Sequence, residues 1–196
     1  MTRLGNIRNL DKYIWALLLG FLAACGTSDK LTYFHDPQMD FAAVRSIAVM
    51  PFENLTREQM AGERVREVFV NSLLATGAVY VVPTGEVSRG IARAGMLNPS
   101  GPSTEEIGKF AGIIRVDAVI TGTVTEYGEV RSGSASANVI SMSVQMIEVQ
   151  TGRTVWTASA TKGGISIWDR LFGSGGQPMN HVTIEAVNDI LDKLFM

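Results

Sequence analysis

The stretch AVITGTVTEY, residues 118–127, alternates apolar side chains with hydroxyl side chains. In an extended chain, Ile120 and Val124 lie on one face, and Thr121 and Thr123 lie on the other. Alternation with a period of two is typical of a strand that has one buried and one solvated face. The stretch therefore predicts a half-buried antiparallel strand, on which the rest of the sheet is built.

Two strands with the same alternation follow it. Residues 139–149 and 154–162 each place their large apolar residues on one face, and residues 150–152, Gln-Thr-Gly, form the tight turn between them. The apolar faces consist of Ile140, Met142, Val144 and Met146 in the first strand and of Trp156, Ala158 and Ala160 in the second. The second half of the chain therefore predicts three antiparallel strands.

The first half alternates buried strands with helices. Residues 46–52, SIAVMPF, and 79–82, VYVV, are short apolar runs typical of buried strands. The predicted helices cover residues 57–75 after a capping box of Thr56 and Gln59, residues 84–94 after Thr84, a segment opened by a capping box of Ser103 and Glu106, and residues 182–195. The apolar faces include Ala61, Val65, Val68, Phe69 and Leu73 in the first helix and Ile184, Val187, Ile190, Leu191 and Leu194 in the last. This order predicts an α+β fold, a three-layer-like sandwich with helices packed on a mixed β-sheet.

The N-terminal segment is predicted to be a signal peptide. Residues 1–12 carry three basic residues and one acidic residue, and the apolar run YIWALLLGFL follows at 13–22. A positive segment, a short apolar run and then small residues are typical of secretion signals. The run is too short for a membrane-spanning helix, which needs about 20 residues. Residues 1–24 are therefore expected to be removed from the mature protein.

Residues 22–25, Leu-Ala-Ala-Cys, resemble the lipobox of bacterial lipoproteins. The resemblance implies cleavage between Ala24 and Cys25, a thioether between Cys25 and a diacylglycerol, and acylation of the new amino group. The alternative is a plain secreted protein with an unpaired cysteine, although a free exposed thiol is a liability in an oxidising compartment. Gly26 stands where many lipoproteins retained at the inner membrane have Asp, which implies the periplasmic face of the cell outer membrane.

The segment after the lipidation site is predicted to be a linker. Residues 25–43 form a lipidated tether that becomes an extended arm, and residues 44–196 form the folded domain. The ~18 residues before the first predicted strand span at most ~60 Å. Tyr33, Phe34 and Phe41 would dock the arm either on its own domain or on a neighbouring subunit.

Charge and motif content argue against nucleic-acid binding and catalysis. The full chain has a formal charge of −2, and loss of the positive leader makes the mature protein more negative, whereas nucleic-acid binding needs a basic surface. The two histidines, His35 and His181, have no Cys or carboxylate at ligand spacing, and we expect solvated or capping roles for them. Neither a nucleophile motif nor a phosphate loop with Gly-Lys-Ser/Thr occurs. We therefore expect a protein that is not an enzyme and that has no metal and no cofactor.

Three segments resemble motifs of the CsgG-like bacterial lipoprotein family, which includes curli assembly components. They are IAVMPFEN at 47–54, VDAVITGTV at 116–124 and QMIEVQTGRTVW at 145–156. With the last helix, the resemblance covers about residues 44–195. It implies a CsgG-like periplasmic domain, a homo-oligomeric ring, and envelope or secretion-system proteins as partners.

Curli-type members of that family each insert two hairpins through a membrane, and such a hairpin needs roughly 20 residues or more. Here the first candidate insertion, residues 128–138, is short and polar, and the second, residues 163–181, lacks apolar–polar alternation. The chain is therefore predicted to resemble the shorter members, which have no transmembrane hairpins.

The second insertion contains five large apolar residues, Ile165, Ile167, Trp168, Leu171 and Phe172. A Trp ring is favourable at a bilayer interface because it is amphipathic. We hypothesise that this loop rests on the membrane near the lipid anchor. The alternative is that these residues cover the end of the sheet or pack on the last helix.

These expectations favour an outer-membrane-anchored periplasmic lipoprotein that acts as a scaffold or assembly factor, as an oligomeric ring, in the export or assembly of a surface polymer, fibre or envelope structure. A second hypothesis is a tethered activator of a peptidoglycan synthase, that is, a penicillin-binding-protein activator. That role needs a long spacer, and no Pro- and Gln-rich spacer follows Cys25. The third hypothesis, a ligand-binding or enzymatic domain, has no supporting motif.

Overall fold

The computed structural model describes residues 31–133, 135–165 and 176–195. In chain order, the elements in these ranges are β1 (Leu31–His35), a 3-10 turn (Phe41–Ala43), β2 (Ser46–Val49), β3 (Glu53–Asn54), α1 (Ala61–Thr76), β4 (Tyr80–Val81), α2 (Thr84–Ala94), α3 (Thr104–Ile114), β5 (Ala118–Ser132), β6 (Ala135–Glu148), β7 (Thr154–Gly163) and α4 (Met179–Leu194).

The strands form one mixed seven-stranded sheet in the order β1-β7-β6-β5-β2-β4, and β3 pairs with β5. The pairs β5–β6, β6–β7 and β7–β1 are antiparallel. The short strands β2 and β3 run parallel to β5, and β4 runs parallel to β2. The predicted α+β class with a mixed sheet is therefore confirmed.

Helices pack on both faces of the sheet. Helices α1 and α4 bury one face, in a core that includes Phe69, Trp156 and Ile190. Helices α2 and α3 bury the other face in a second core, which includes Phe110 and Val119. Because the strand residues of this second core are Ala48 of β2, Val119 of β5 and Ile147 near the end of β6, the outer face of β7, β1 and the rest of β6 stays uncovered in the described part of the chain. The result is the predicted three-layer-like sandwich.

The predicted alternation is confirmed for β6 and β7, whereas β5 is buried on both faces from Ala118 to Gly122, because it lies inside the sheet between β6 and β2, and Thr121 is only 3% exposed. All seven residues assigned to the apolar faces are buried, namely Ile140, Met142, Val144, Met146, Trp156, Ala158 and Ala160. The predicted insertion at 128–138 is different, because β5 and β6 stay paired as far as Ser132 and Ala135. The polar side chains of this stretch did not indicate a strand, but strands pair through backbone hydrogen bonds, which polar residues also form.

The first helix begins later than predicted, and the Thr56–Gln59 capping box is wrong. The Asn54 Oδ1 accepts hydrogen bonds from the Thr56 N–H (3.0 Å) and hydroxyl (2.8 Å), and the Asn54 Nδ2 donates to the Glu58 carbonyl (2.8 Å). These bonds hold the segment in a turn, so α1 begins only at Ala61.

The other two predicted caps give one confirmation and one correction, and the last helix begins at Met179, three residues before its predicted start. Both hydrogen bonds of the Ser103–Glu106 capping box are present, at 2.8 and 3.2 Å. Thr84 does not cap α2, because Pro83 occupies the N-cap position and Thr84 is the first helical residue.

Two residues occupy different faces from those predicted. Arg66, which is not part of the predicted apolar face of the first helix, is only 4% exposed. Ile184, assigned to the apolar face of the last helix, is 37% exposed, and α4 instead buries Val182, Thr183 and Ala186 on the turns around it.

The sheet begins inside the segment predicted as a tether. Strand β1 forms the edge of the sheet and pairs with β7, with Leu31 opposite Ala160 and His35 opposite Trp156. The arm therefore docks on its own domain, the first of the two predicted alternatives. Phe41 packs partly buried against the core, whereas Tyr33 and Phe34 remain about half exposed.

Candidate functional site

Four chain segments meet at one end of the sheet, which we call the hairpin end. It consists of the start of β1 at Leu31, the β5–β6 hairpin at 128–138, the end of β7 at Gly163, and the residues from Gly176 that lead into α4. The predicted lipidation site and the predicted membrane-contact loop both connect to this end. It is therefore the candidate site of membrane contact.

The length of chain before β1 limits how far the domain lies from Cys25. Leu31 is level with Ala160 and Met142 in the sheet. Met142 lies seven residues along β6 from Ala135 at the hairpin turn, a distance of about 23 Å. Cys25 comes six positions before Leu31, which allows about 20 Å of extended chain. A fully extended chain would therefore bring Cys25 no farther than about the level of the hairpin turn, which is a shorter limit than the ~60 Å expected from a strand starting at residue 46.

Asn138 closes the base of the loop that follows β7. Its backbone carbonyl accepts a hydrogen bond from the Gly164 N–H (2.9 Å), and its Nδ2 donates to the Gln177 carbonyl (2.8 Å). The Gly176 N–H donates to the Ser136 carbonyl (3.3 Å). Both ends of the loop are therefore fixed to β6 at the hairpin end.

Gly176 is required by this arrangement. A Cβ atom at this position would lie 2.7 Å from the Ala137 Cα, which is closer than real side chains approach. The backbone after the loop can therefore pack directly on β6, and this contact contributes to the burial of Ala137.

The hairpin itself carries a charge pair. Arg131 Nη2 lies 2.8 Å from Glu129 Oε2, and both side chains are exposed. A hydrogen bond with Ser136 and the charge of Arg131 hold the pKa of the Glu129 carboxyl below its ordinary value. Opposite charges therefore balance at this point of the hairpin.

The two histidines have structural contacts. His35 Nε2 donates to the carbonyl oxygen of Lys193 in the last turn of α4, to which Trp156 Nε1 also donates at 3.2 Å. His181 Nδ1 lies 2.8 Å from Gln177 Oε1 and 3.6 Å from Glu185 Oε1, four residues on, so the expectation that His181 has no carboxylate at ligand spacing is wrong. The capping role expected for His35 is therefore observed. Within residues 31–133, 135–165 and 176–195, no three His, Cys, Asp or Glu side chains form a cluster able to hold a metal ion.

The uncovered face of the sheet forms a shallow concavity lined by uncharged residues: Thr32, Thr121, Gly122, Thr123, Ser143, Val144, Gln145, Thr157, Ala158 and Ser159. Gln145 Nε2 donates to Thr121 Oγ1 at 3.0 Å, and Ser141 and Thr161 share a hydrogen bond of 2.9 Å beside it. These groups offer hydrogen bonds to a neutral polar surface and supply no nucleophile–base pair.

The predicted membrane-contact loop is only partly visible. Ile165 lies two residues after β7 and is half-buried. The other predicted contact residues, Ile167, Trp168, Leu171 and Phe172, lie outside the described residues, as do Ala24 and Cys25. None of the described helices combines the length and hydropathy that crossing a membrane requires.

Comparisons with known proteins place the chain among lipoproteins. The model of the family described as "Putative lipoprotein GNA1162-like" matches residues 38–194. A search of curated proteins finds no match. The prediction of a bacterial lipoprotein is thus confirmed at the level of a lipoprotein family, and the CsgG-like assignment stays a prediction.

Of three similar solved structures, the first two have TM-scores above 0.5 and share the fold. A dodecameric PelC variant from Paraburkholderia phytofirmans has a TM-score of 0.59 at 20% identity, over 84% of this chain and 98% of that one. Lipoprotein GNA1162 from Neisseria meningitidis has a TM-score of 0.56 at 22% identity, over 76% of this chain and 99% of that one. The C-terminal domain of LpoB from Escherichia coli has a TM-score of 0.45 at 17% identity, over 77% of this chain and 93% of that one.

Proposed function

We propose that this chain, which belongs to the GNA1162-like lipoprotein family, is a lipid-anchored scaffold on the periplasmic face of the outer membrane. In this proposal it assembles into a ring and serves the export or assembly of a surface polymer, fibre or envelope structure. Its partners are the membrane, further copies of itself, and envelope or secretion-system proteins.

The main support is the short span between Cys25 and Leu31. Because β1 is paired along its length with β7, only residues 26–30 separate the proposed anchor from the folded domain. About 20 Å of chain holds the hairpin end at the membrane surface. A domain held this close is suited to work at the membrane.

The membrane contact includes the loop closed by Asn138. The Ile165 end of the loop emerges beside the hairpin, on the side of the domain to which the anchor leads. We propose that Trp168 and Phe172 rest in the interfacial layer, where aromatic rings are favoured. Two lipid chains or more at Cys25 would supply stable binding, and the loop would orient the domain.

The ring is supported by the shared fold. PelC, which has this fold, is a dodecamer, and we propose a homo-oligomer for this chain as well. A relationship to CsgG-like curli assembly components belongs to the same proposal, since it rests on the motifs at 47–54, 116–124 and 145–156.

We further propose that the protein has no enzymatic activity. The role of a tethered activator of a peptidoglycan synthase is the competing proposal. It requires a domain that extends away from its anchor, and about 20 Å of chain before β1 weighs against it.

The oligomer is tested by light scattering after size exclusion on the lipidated protein extracted in detergent. A discrete large oligomer is the expected result, and electron microscopy would then count its subunits. A monomer over a wide concentration range would remove the ring and favour the tethered activator. The non-lipidated Cys25→Ser protein separates the contribution of the lipid from that of protein contacts.

The membrane loop is tested by flotation of this Cys25→Ser protein with vesicles of phosphatidylethanolamine and phosphatidylglycerol. Trp168→Ser with Phe172→Ser should reduce the bound fraction severalfold. Leu97→Ser is the matched control, because Leu97 is 96% exposed and lies between α2 and α3. Equal binding by all folded variants would contradict the proposed loop contact.

A further inference from the structure

The two edges of the sheet each expose a pair of large apolar side chains. At the β1 edge, Tyr33 is 53% and Phe34 48% exposed; at the opposite edge, Tyr80 of β4 is 60% and Leu74 of α1 is 51% exposed. Single exposed apolar residues are ordinary on a protein surface. Pairs at both edges of one sheet indicate surfaces that are covered in an assembly.

Strand β1 itself contains none of the residue types that usually block the pairing of another strand. The Asp36 N–H donates to the Val155 carbonyl of β7 (2.8 Å), and alternation along the strand then directs the backbone N–H and C=O of Tyr33 and His35 away from β7. Protected edges usually carry Lys, Pro or a bulge. The strand LTYFH contains neither residue type, and its pairing with β7 has no bulge.

The β4 edge lies beside a groove between α1 and β4. Its apolar lining comes from Val70, Leu74, Val81, Val82 and Pro83, and its polar lining includes Glu63 and Glu67. Arg66 lies at its buried side and pairs with Glu63 at 3.3 Å. The groove therefore offers an apolar floor with carboxylates along the α1 side.

The two edges also carry opposite charges. Lys193 Nζ lies 5.4 Å from the centroid of the Tyr33 ring and brings a positive charge to the β1 edge. The groove brings Glu67, which is exposed on α1. An aromatic edge with a cation therefore faces an apolar groove with carboxylates when the two edges meet.

A shared membrane determines which edges can meet, and this step rests on the proposed function. Strand β1 runs away from the hairpin end and β4 runs toward it. When all copies turn their hairpin ends to one membrane, β1 of one copy lies antiparallel to β4 of the next. Antiparallel pairing of β1 with β1 would instead turn one hairpin end away from the membrane.

We propose that the β1 edge of one copy docks on the β4 edge of a second copy, so that Tyr33 enters the α1–β4 groove against Leu74, and Phe34, on the opposite face of the sheet, meets Tyr80. The contact joins two different surfaces, so it is heterologous and repeats around an axis parallel to the strands. Each copy uses both edges, and a closed ring leaves neither edge exposed.

Cysteine cross-linking of the full lipidated protein in membranes tests this contact. Cys25 is the only cysteine of the chain, and lipidation occupies its thiol, so Phe34→Cys with Tyr80→Cys supplies one thiol at each edge. A short bifunctional maleimide should give a ladder of multiples in the double variant and only monomer in each single variant. Phe34→Cys with Leu97→Cys is the matched control and should give no ladder.

The outcomes separate the contact from the ring. A large oligomer by light scattering without the Phe34–Tyr80 ladder would overturn the contact and leave the ring intact. Dimers from Phe34→Cys alone would overturn it in favour of β1 pairing with itself. A monomeric parent protein would remove both the contact and the ring. Leu74→Glu, checked for folding by circular dichroism, should reduce the oligomer to monomers, whereas Leu97→Glu should not.

Discussion

Arg66 donates two hydrogen bonds to the carbonyl oxygen of Val49, from Nε at 3.2 Å and from Nη2 at 2.9 Å. The carbonyl ends β2, just before the chain leaves the sheet at Met50 and Pro51. Burial lowers the pKa of the Arg66 guanidinium, and Glu63 opposes the shift. The guanidinium thus joins α1 to the sheet at the last residue of β2.

Replacing Arg66 tests this link. Arg66→Met should lower the free energy of unfolding by about 1–3 kcal/mol, because the Val49 carbonyl loses its donors in a buried place. Arg66→Lys should recover only part of this, since an ammonium does not reproduce the planar fork. Urea unfolding measures both. Arg64→Met on the exposed side of α1 is the control, and a change within about 0.5 kcal/mol is expected there; equal effects at 64 and 66 would contradict the assignment.

Asp117 joins the starts of β2 and β5 and should make stability depend on acid pH. Desolvation works against its charge, but the Ser46 hydroxyl (2.8 Å) and the Arg45 and Ser46 N–H groups (3.0 and 2.9 Å) hold the pKa of Asp117 below its ordinary value. This stabilisation is complete above the unfolded pKa of about 3.9 and is lost as pH falls through the lower folded value.

Asp117→Asn should therefore lower the free energy of unfolding by about 1 kcal/mol at pH 7. The difference from the parent protein should shrink as the pH is lowered below 4. Urea unfolding at pH 7 and at pH 3 measures the two differences. Ser46→Ala, which removes one donor, should show a smaller difference with the same pH trend; a difference that grows in acid would refute the sign.

Gly90 allows α2 to lie close to α3. A Cβ atom there would lie 2.6 Å from Ile114 Cδ1 and 2.8 Å from Phe110 Cε2. Gly90→Ala should lower the free energy of unfolding by about 1–3 kcal/mol through overpacking. Gly85→Ala in the same helix meets nothing within 4 Å and should gain up to about 0.5 kcal/mol from the better helix former. Thermal unfolding compares the two, and opposite signs are the expected result.

Asn138→Ala should open the base of the loop after β7. Loss of the Nδ2 bond to the Gln177 carbonyl costs about 1 kcal/mol, and cleavage by a protease between residues 164 and 176 should accelerate. Asn180→Ala, an exposed position at the start of α4, is the control. Unchanged cleavage in Asn138→Ala would show that the side chain does not hold the loop.

The sequence predicted elements that are governed by local patterns. Ile140, Met142, Val144 and Met146 alternate strictly, so the faces of β6 follow from spacing alone. Ser103 and Glu106 form their capping box within one helical turn. Patterns of this kind need no knowledge of distant partners.

The remaining features depend on partners far away in the chain. Strand β1 exists because Leu31 pairs with Ala160, and its five residues carry no alternation that marks it as a strand. Arg66 is buried because the Val49 carbonyl needs a donor. Asn138 lies in a stretch of small polar residues, and no local signal distinguishes it as the residue that closes a loop.

Because Asn138 closes the loop after β7 at its base, the loop is an insert between β7 and α4 with fixed ends. Its entry at Gly164 and its exit at Gly176 and Gln177 are both hydrogen-bonded to β6, so contacts outside the interior of the loop fix its two ends. Doubling its length would cost only about 0.6 kcal/mol in closure entropy. We therefore expect the residues between Gly164 and Gly176 to accept substitutions and insertions that leave the sheet unchanged.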